Sequence, residues 1–588
     1  MIMKIKVFES QDQKILYIED INFYFNISEV NSINVGDYYW DKNEFSEFIC
    51  YHKNDLKDLI TYFSILEENM KKKQVDFESM KGIGFTLCLH PSRRCNLNCK
   101  YCFKNSNYLV NEPLSFEMAR MAIDYFVFDY AKRASKYIID LSGSGEPLIE
   151  FDLIKQIVDY CDDIQNKIGK SVSVMFATNA VQLSEEKLNY IDNNLTIGFS
   201  LDGDKCINDE NRCLPNGEGT YDFVVNTLKS LKNKKVGIAS TITPKHQEVD
   251  MIYDHLVNLP NIDCISMKLI RCFDNSELDF SNFNIPYLIS RYKKLCNNIF
   301  ANFDTKNFDY IKPLLCGNDM FGKFIKRCLH HNYINSYPCD AGINRISIDS
   351  FGNIYSCSVL LGEKNSCLGN IFDGVDRSKQ LKYLVSSNKK SKICNNCWAR
   401  YICGGECYAI SFSKYKKQYY PYKEMCLFRK ELIKLSMGFV SKLSNSYPEY
   451  YKKIVNYEFE TMRYEDSDSA LWAISQFLQS RGYNIAYSEI TKNITASVNG
   501  VDIEKMLEFA HRYDDSIKAY TINSERWPQN LIYPLISLVN KMNNSIYLYL
   551  MIIGEDKEFL YIKSIFDYEP KKMSKSEFLK KTSNIIIF

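Results

Sequence analysis

A chain of 588 residues, 46% hydrophobic and 25% charged, has an ordinary globular composition and enough length for roughly four domains. Its 73 basic and 72 acidic residues leave a net charge of +1, which gives no basic footprint for nucleic acid. No apolar run reaches the roughly 18 residues of a membrane span, and residues 1–20 lack a signal peptide's apolar core, so a cytoplasmic chain with no membrane span is expected. The 21 cysteines are the exception. In a reducing compartment disulfides are rare, and clustered cysteines point to metal ligands.

Residues 1–80 open with short apolar runs (IKVF, ILYI, FYFNI) and read as helical through Phe45–Lys73. Residues 81–270 then alternate strand-like and helix-like segments. The strand-like ones are GFTLCLH, YIIDLSG, VSVMFATN, LTIGFSLDG, KVGIASTIT and CISMKLIR. Between them lie amphipathic stretches such as FEMARMAIDYFVFDYAKR and YDFVVNTLKSLKN. Six β-α repeats predict an α/β fold with a parallel sheet curved as an open or partial barrel. Residues 271–335 look mostly helical and complete a barrel domain over 81–335. Residues 336–430 hold a second cysteine array with turn signals (DSFGN, CGGEC) and little periodicity. A separate C-terminal domain is expected over 445–588, two amphipathic helices followed by strands, of which SIYLYLMIIG reads as buried.

The first array is RRCNLNCKYCF, which places Cys95, Cys99 and Cys102 with three and then two residues between them. A closed zinc site wants four ligands. Three thiolates on a cubic 4Fe-4S cluster leave one iron open to a small chelating molecule. The triplet follows the first strand, at the C-terminal edge of the sheet, where α/β folds bind ligands.

CNLNCKYC resembles the CxxxCx(aromatic)C signature of radical S-adenosylmethionine (SAM) enzymes. The resemblance implies that Cys95, Cys99 and Cys102 hold a 4Fe-4S cluster, that the SAM amino and carboxylate groups chelate its fourth iron, and that an electron from the cluster releases a 5′-deoxyadenosyl radical. It also implies that Tyr101 packs near the adenine and that a low-potential donor of flavodoxin or ferredoxin type supplies electrons. After the second strand, SGSGEPLIE resembles the family's GGEP motif, which holds the SAM amino group. The matching residues are Ser144, Gly145, Glu146 and Pro147, with Ser in place of the first Gly. Thr178 and Asn179 follow the third strand. SLDGDKCINDENRCLPNGEGTYD follows the fourth and resembles a stretch of the peptide-modifying branch. There Ser200 and Asp202 would meet the ribose and Arg212 the SAM carboxylate. Asp209 matches the family's aspartate, and Asn208 stands where a His is usual. For Glu146 a helix-start role, and for Ser200 and Asp202 plain turn formation, are the structural alternatives.

The second array runs Cys339, twelve residues, Gly352, four, Cys357; then Cys394, two, Cys397, five, Cys403, three, Cys407; and finally Cys426. This resembles the SPASM extension, which binds two auxiliary 4Fe-4S clusters. By that resemblance Cys394, Cys397, Cys403 and Cys426 hold the outer cluster, and Cys339, Cys357 and Cys407 the inner. Two arrangements stay open for the inner cluster: Cys367 as fourth ligand, or an iron left for the substrate. A thiolate fixed on an open iron suits C–S bond formation; a fully ligated cluster acts as a wire.

The C-terminal region resembles the papain-like peptidase domain that removes double-glycine leaders from bacteriocin precursors, most closely in DYEP…MSKSEF…TSNIIIF. That peptidase needs a Cys nucleophile and a His base. No cysteine follows Cys426, and the only histidine there is His511, so leader binding without cleavage is expected. Asp466, Asp468 and Ser469 stand in the nucleophile's neighbourhood. At the N-terminus, peptide-modifying relatives often carry a small winged-helix element that binds a leader by strand addition. The function implied is modification of a ribosomally made Cys-rich precursor peptide with a leader, by a Cys-to-carbon thioether. Other readings are an anaerobic sulfatase-type formylglycine maturase, another SPASM dehydrogenase, and a non-catalytic iron–sulfur electron carrier.

Overall fold

The computed structural model describes residues 3–18, 23–26, 32–35, 38–41, 47–50, 84–102, 113–143, 145–232, 234–271, 276–317, 319–329, 337–384, 391–417, 419–494, 501, 503–522, 526–529, 531–540, 547–565 and 569–587. Near the N-terminus lie β1 (Met3–Ser10), β2 (Gln13–Ile18), β3 (Phe23–Asn26), β4 (Ser32–Val35), β5 (Tyr38–Asp41) and β6 (Glu47–Cys50). The order β3-β2-β1-β6 is an antiparallel sheet. The three apolar runs are strands as expected. The predicted helix from Phe45 is corrected at its start, where Glu47–Cys50 pairs with β1; Tyr51–Lys73 lies outside the described residues. This sheet rests on the helix Lys423–Ser446, whose Gly438 comes so close that an added Cβ would sit 2.5 Å from the Ser10 carbonyl.

All six expected barrel strands form: β7 (Phe85–Cys88), β8 (Tyr137–Asp140), β9 (Val172–Thr178), β10 (Thr196–Ser200), β11 (Val236–Ile242) and β12 (Ile262–Leu269). They pair in parallel in chain order. The crossover helices bury one apolar stripe each. In Phe151–Ile168 the stripe is Ile154, Ile157, Val158, Cys161 and Ile164, at the three- and four-residue spacing of one helix face. Ser115, Ser184 and Asp204 cap helix starts by accepting backbone N–H bonds, each worth about 1 kcal/mol.

The sheet does not stop at residue 335. β13 (Arg345–Ile348) adds to β7 in parallel, and β14 (Asn353–Tyr355), β15 (Cys367–Asn370) and β16 (Gly374–Val375) extend it antiparallel to ten strands. The cysteine-rich region is thus built onto the barrel's first strand and shares its core.

The helix Pro448–Ser480 bridges two cores. Tyr450, Tyr451 and Ile454 pack with the barrel side, Tyr450 stacking on Phe303 at 4.4 Å. Leu471, Trp472, Ile474 and Phe477 belong to the C-terminal core. The expected line at 445 therefore falls before a shared element. The terminal sheet orders as β17 (Ala519–Thr521), β22 (Thr582–Ile587), β18 (Leu535–Asn540), β19 (Tyr547–Glu555), β20 (Phe559–Lys563) and β21 (Lys571–Ser574). Strand alternation divides its two faces: Tyr549 and Met551 of β19 face the helices, and Leu550 and Ile552 the opposite core.

Candidate functional site

The loop after β7 carries Cys95, Cys99 and Cys102. Backbone bonds tie it down: Asn98 N to Cys213 O at 2.8 Å, Lys100 N to Asn211 O at 3.1 Å, and Glu146 N to Arg94 O at 2.8 Å. Gly145 makes this possible. Its φ is +85°, and a Cβ there would lie 2.3 Å from the Ser92 carbonyl, so only glycine lets the two loops meet. Ser144 lies outside the described residues.

Glu146 is buried beneath the loop, directly before Pro147, which opens a 3₁₀ turn. Its carboxylate accepts from Thr178 Oγ1 at 2.6 Å, Asn179 N at 2.9 Å and Leu148 N at 3.1 Å. Burial raises its pKa, and these bonds oppose the rise. Asn179 extends the chain of contacts: its Nδ2 donates to Asn96 Oδ1 at 2.7 Å and lies 3.9 Å from Cys95 Sγ. The helix-start bond of Glu146 to Leu148 N coexists with its bonds to Thr178 and Asn179, since a carboxylate has about four acceptor sites and keeps capacity for an ammonium.

Tyr101 is half-buried and donates to Asp202 Oδ2 at 2.7 Å. Arg212 Nη1 donates to the Tyr101 hydroxyl at 2.6 Å and lies 3.9 Å from Asp202 Oδ1. Asp202 is 0% exposed and also accepts from Thr241 N at 3.0 Å. It acts here as a post between β10, β11 and the cysteine loop. Ser200, two residues earlier, is half-buried at the end of β10. Arg212 Nε is buried and donates to no acceptor among the described residues, which fits a site for an anionic group. Asp209 holds this loop in shape by accepting from Thr220 N and Tyr221 N, each at 2.8 Å. A Cβ on Gly219 would fall 2.0 Å from Asp209 Cγ. The Asn208–Asp209 and Gly217–Gly219 spacing is therefore a folding clamp that aims Arg212.

In the second array the thiols fall into two groups. Cys339, Cys357 and Cys407 lie near enough to feel one another's charge. Cys394 feels Cys397 and Cys403, and Cys426 feels Cys403 and Cys394. Burial pushes Cys99 and Cys394 up to about 11 and Cys426 to about 12, and raises Cys339, Cys357 and Cys397. Such thiols ionise at neutral pH only when a cation compensates, the donor chemistry a metal cluster demands. Among the described residues no three Cys, His, Asp or Glu side chains converge tightly enough for a single metal ion. A cubane, which takes its thiolates at separate corners, asks for wider spacing. Cys367 sits on β15 and donates to Gly369 O at 3.5 Å.

A buried scaffold missed at the sequence level holds these loops. Arg429 pairs with Glu406, which accepts from Cys407 N at 2.8 Å and Tyr422 N at 3.1 Å. Arg327 Nη1 donates to the carbonyls of Ile402 at 2.5 Å and Cys403 at 3.0 Å. The signal was present: Glu406 lies within CGGEC, between two candidate ligands. A second missed set faces the barrel interior. Arg345 of β13 donates to Asp140 of β8 at 2.9 Å and to Cys88 Sγ at 3.0 Å. Here strand alternation was the available signal.

In the C-terminal domain His511 Nε2 donates to Ile517 O at 2.6 Å, and the buried Ser469 Oγ accepts from Tyr549 N at 3.3 Å. Both act in structural bonds. The side chains of Asp466 and Asp468 lie outside the described ones.

A parallel barrel with three thiols on its first loop and a buried acid on its second defines a class of cluster-bearing barrel enzymes. The Radical SAM superfamily matches residues 89–256 and the Peptidase C39 family residues 460–588. An uncharacterised protein of Methanocaldococcus jannaschii is 31% identical over 296 residues, 49% of this chain and 88% of that protein. A cysteine-type anaerobic sulfatase-maturating enzyme of Clostridium novyi is 23% identical over 343 residues, 54% of this chain and 85% of that enzyme. The solved structure of native anSMEcpe with bound AdoMet aligns with a TM-score of 0.51 at 17% identity, covering 61% of this chain and 99% of that one. The chain belongs to the radical SAM superfamily, whose members bind a 4Fe-4S cluster and SAM. Among the described residues no helix is long and apolar enough to cross a membrane.

Proposed function

We propose that this enzyme modifies a cysteine-containing, ribosomally made peptide by forming a Cys-to-carbon thioether. The observation that carries the reading is the pairing, in one chain, of a radical SAM barrel with a C39-matching domain that lacks a cysteine and whose histidine is held by a backbone carbonyl. A leader-binding fold without its nucleophile suits recognition, not cleavage. The sulfatase-maturating relative is named for work on a protein cysteine, which supports a polypeptide substrate. A folded sulfatase needs no leader domain, which favours the peptide.

In this reading Cys95, Cys99 and Cys102 hold the SAM-binding cluster, which supplies the electron for SAM cleavage. Glu146 accepts the SAM ammonium, and Arg212 Nε, lacking an acceptor, meets its carboxylate. Ser200 faces the ribose, while Asp202 and Arg212 hold Tyr101 in place. Cys394, Cys397, Cys403 and Cys426 form the outer ligand set and Cys339, Cys357 and Cys407 the inner. The Cys367 thiol is engaged with its own strand's Gly369 carbonyl, which supports three inner protein ligands and a fourth place for the substrate thiol. A flavodoxin- or ferredoxin-type protein serves as donor.

The test is anaerobic reconstitution and iron counting, with about twelve irons per chain expected for three clusters. SAM and reductant should then give 5′-deoxyadenosine. Candidate Cys-rich peptides bearing leaders should lose two hydrogens per crosslink by mass. An unchanged peptide together with an oxidised sulfatase cysteine would establish the rival maturase reading instead.

A further inference from the structure

The barrel interior carries charge that the proposed function leaves unused. Along β12 the side chains alternate: Ile265, Met267 and Leu269 are buried, while Cys264, Ser266 and Lys268 keep accessible surface on the other face. Along β9 and β11 the same half-buried face carries Ser173, Met175, Ala177, Gly237, Ala239 and Thr241, so that Met175 is the one large side chain where a packed barrel stacks bulky branched layers. Lys268 is exposed, yet desolvation lowers its ammonium pKa. Both hold for a side chain that faces an internal hollow and not bulk water.

Around Lys268 the charges do not balance. Arg271, Arg345, Asp140 and the Cys264 thiol all act on it, so three cations share one carboxylate, and Arg345 already donates to Asp140 at 2.9 Å. Arg271 lies on the side of Cys407, Cys357 and Cys339. Lys268 makes no hydrogen bond or ion pair among the described residues. An ammonium held in a hollow beside two guanidinium groups is costly until an anion arrives. The candidate SAM-carboxylate donor, Arg212, belongs to the loop beyond β10 and is bonded to Tyr101.

We propose that Lys268, with Arg345 beside it, binds a carboxylate of the substrate inside the barrel, so that the modified segment carries an acidic side chain or ends in a free α-carboxylate. The proposal rests on the peptide-modifying reading for the identity of the substrate, though not for the existence of the site.

The test uses the reconstituted full-length enzyme. Lysines are acetylated with limiting acetic anhydride, and the rate at Lys268 is read by peptide mass mapping. Three probes are compared at matched ionic strength: N-acetylglutamine, with an α-carboxylate; the α-amide of N-acetylglutamate, with a side-chain carboxylate; and N-acetylglutaminamide, with neither. At saturating acid, labelling of Lys268 should slow about tenfold relative to the neutral amide, as expected for a charge-assisted bond. Whichever acid protects better names the source. Equal rates with all three probes, or protection by SAM alone, would overturn the proposal. With a peptide that the mass assay shows to be modified, Lys268→Gln should raise KM about tenfold and Lys268→Arg should restore it; an equal loss in both counts against carboxylate binding. If no peptide is modified while the acids still protect Lys268, the peptide reading fails and the carboxylate site stands. If a peptide is modified and the acids do not protect, the reverse holds.

Discussion

The Arg212 guanidinium donates to the Tyr101 hydroxyl at 2.6 Å, joining residues 111 positions apart across the mouth of the barrel. Tyr101 in turn lies between Cys99 and Cys102 in sequence, so the orientation of the loop depends on a planar donor fixed by Asp202 and the Asp209 clamp. Arg212→Lys keeps the charge and loses the fork. SAM cleavage should fall about tenfold or more, the scale of a lost charge-assisted bond. Single-turnover formation of 5′-deoxyadenosine checks this, with iron content as the control for cluster loading.

Gly145→Ala should fail for a steric reason. The new Cβ would meet the Ser92 carbonyl at 2.3 Å, and φ is +85°. Backbone cannot yield there as a flexible side chain would, so a cost of about 1–3 kcal/mol is expected. Urea denaturation of the apoprotein measures it. Because the cysteine loop must shift to relieve the clash, iron uptake should fall in parallel.

Glu406→Gln leaves Arg429 buried with a weakened partner. The side chains are 1% and 7% exposed, and removing one member of such a pair costs about 3–5 kcal/mol. Glu406 also accepts from Cys407 N, so the damage reaches both of the ligand sets proposed for auxiliary clusters. Iron per chain should drop, while the SAM-dependent spectroscopic change of the remaining cluster persists. An unchanged iron count would show that the scaffold is dispensable.

His90 makes stability depend on pH. Burial, helped by the charge of Arg93 and opposed by Asp140, lowers its pKa to about 4, from about 6.5 in the unfolded chain. The folded state keeps the ring neutral where the unfolded state binds a proton. Its contribution is therefore complete above about pH 6.5 and is lost progressively as pH falls toward 4. The full loss is about 3 kcal/mol. Urea midpoints measured between pH 7.5 and 4.5 should fall, and His90→Gln should flatten that slope.

Much of this was written in the chain as pattern. GFTLCLH and its five successors gave all six parallel strands because strand alternation and crossover stripes are local properties. The first cysteine spacing belongs to the loop after β7, whereas in the second array Cys394, Cys403 and Cys426 stand on helices that low periodicity did not announce. The failures have physical causes. The start of the Phe45 helix went wrong because strand pairing with β1, a contact across some forty residues, overrode helical periodicity. The boundary at residue 335 was drawn where composition changes, yet β13 completes a sheet edge that β7 would otherwise leave open.

The sequence by itself determined the ligand inventory: which thiols exist, how closely they follow one another, and that the C-terminal domain lacks a nucleophile. These depend on residue identity and spacing alone. Only the tertiary structure decided which groups share space. It set Glu146 under Thr178 and Asn179, Arg429 on Glu406, and Lys268 within the field of Asp140 and Arg345. Each pair joins segments far apart in the chain, and a polar contact between distant segments leaves no period in the sequence to read.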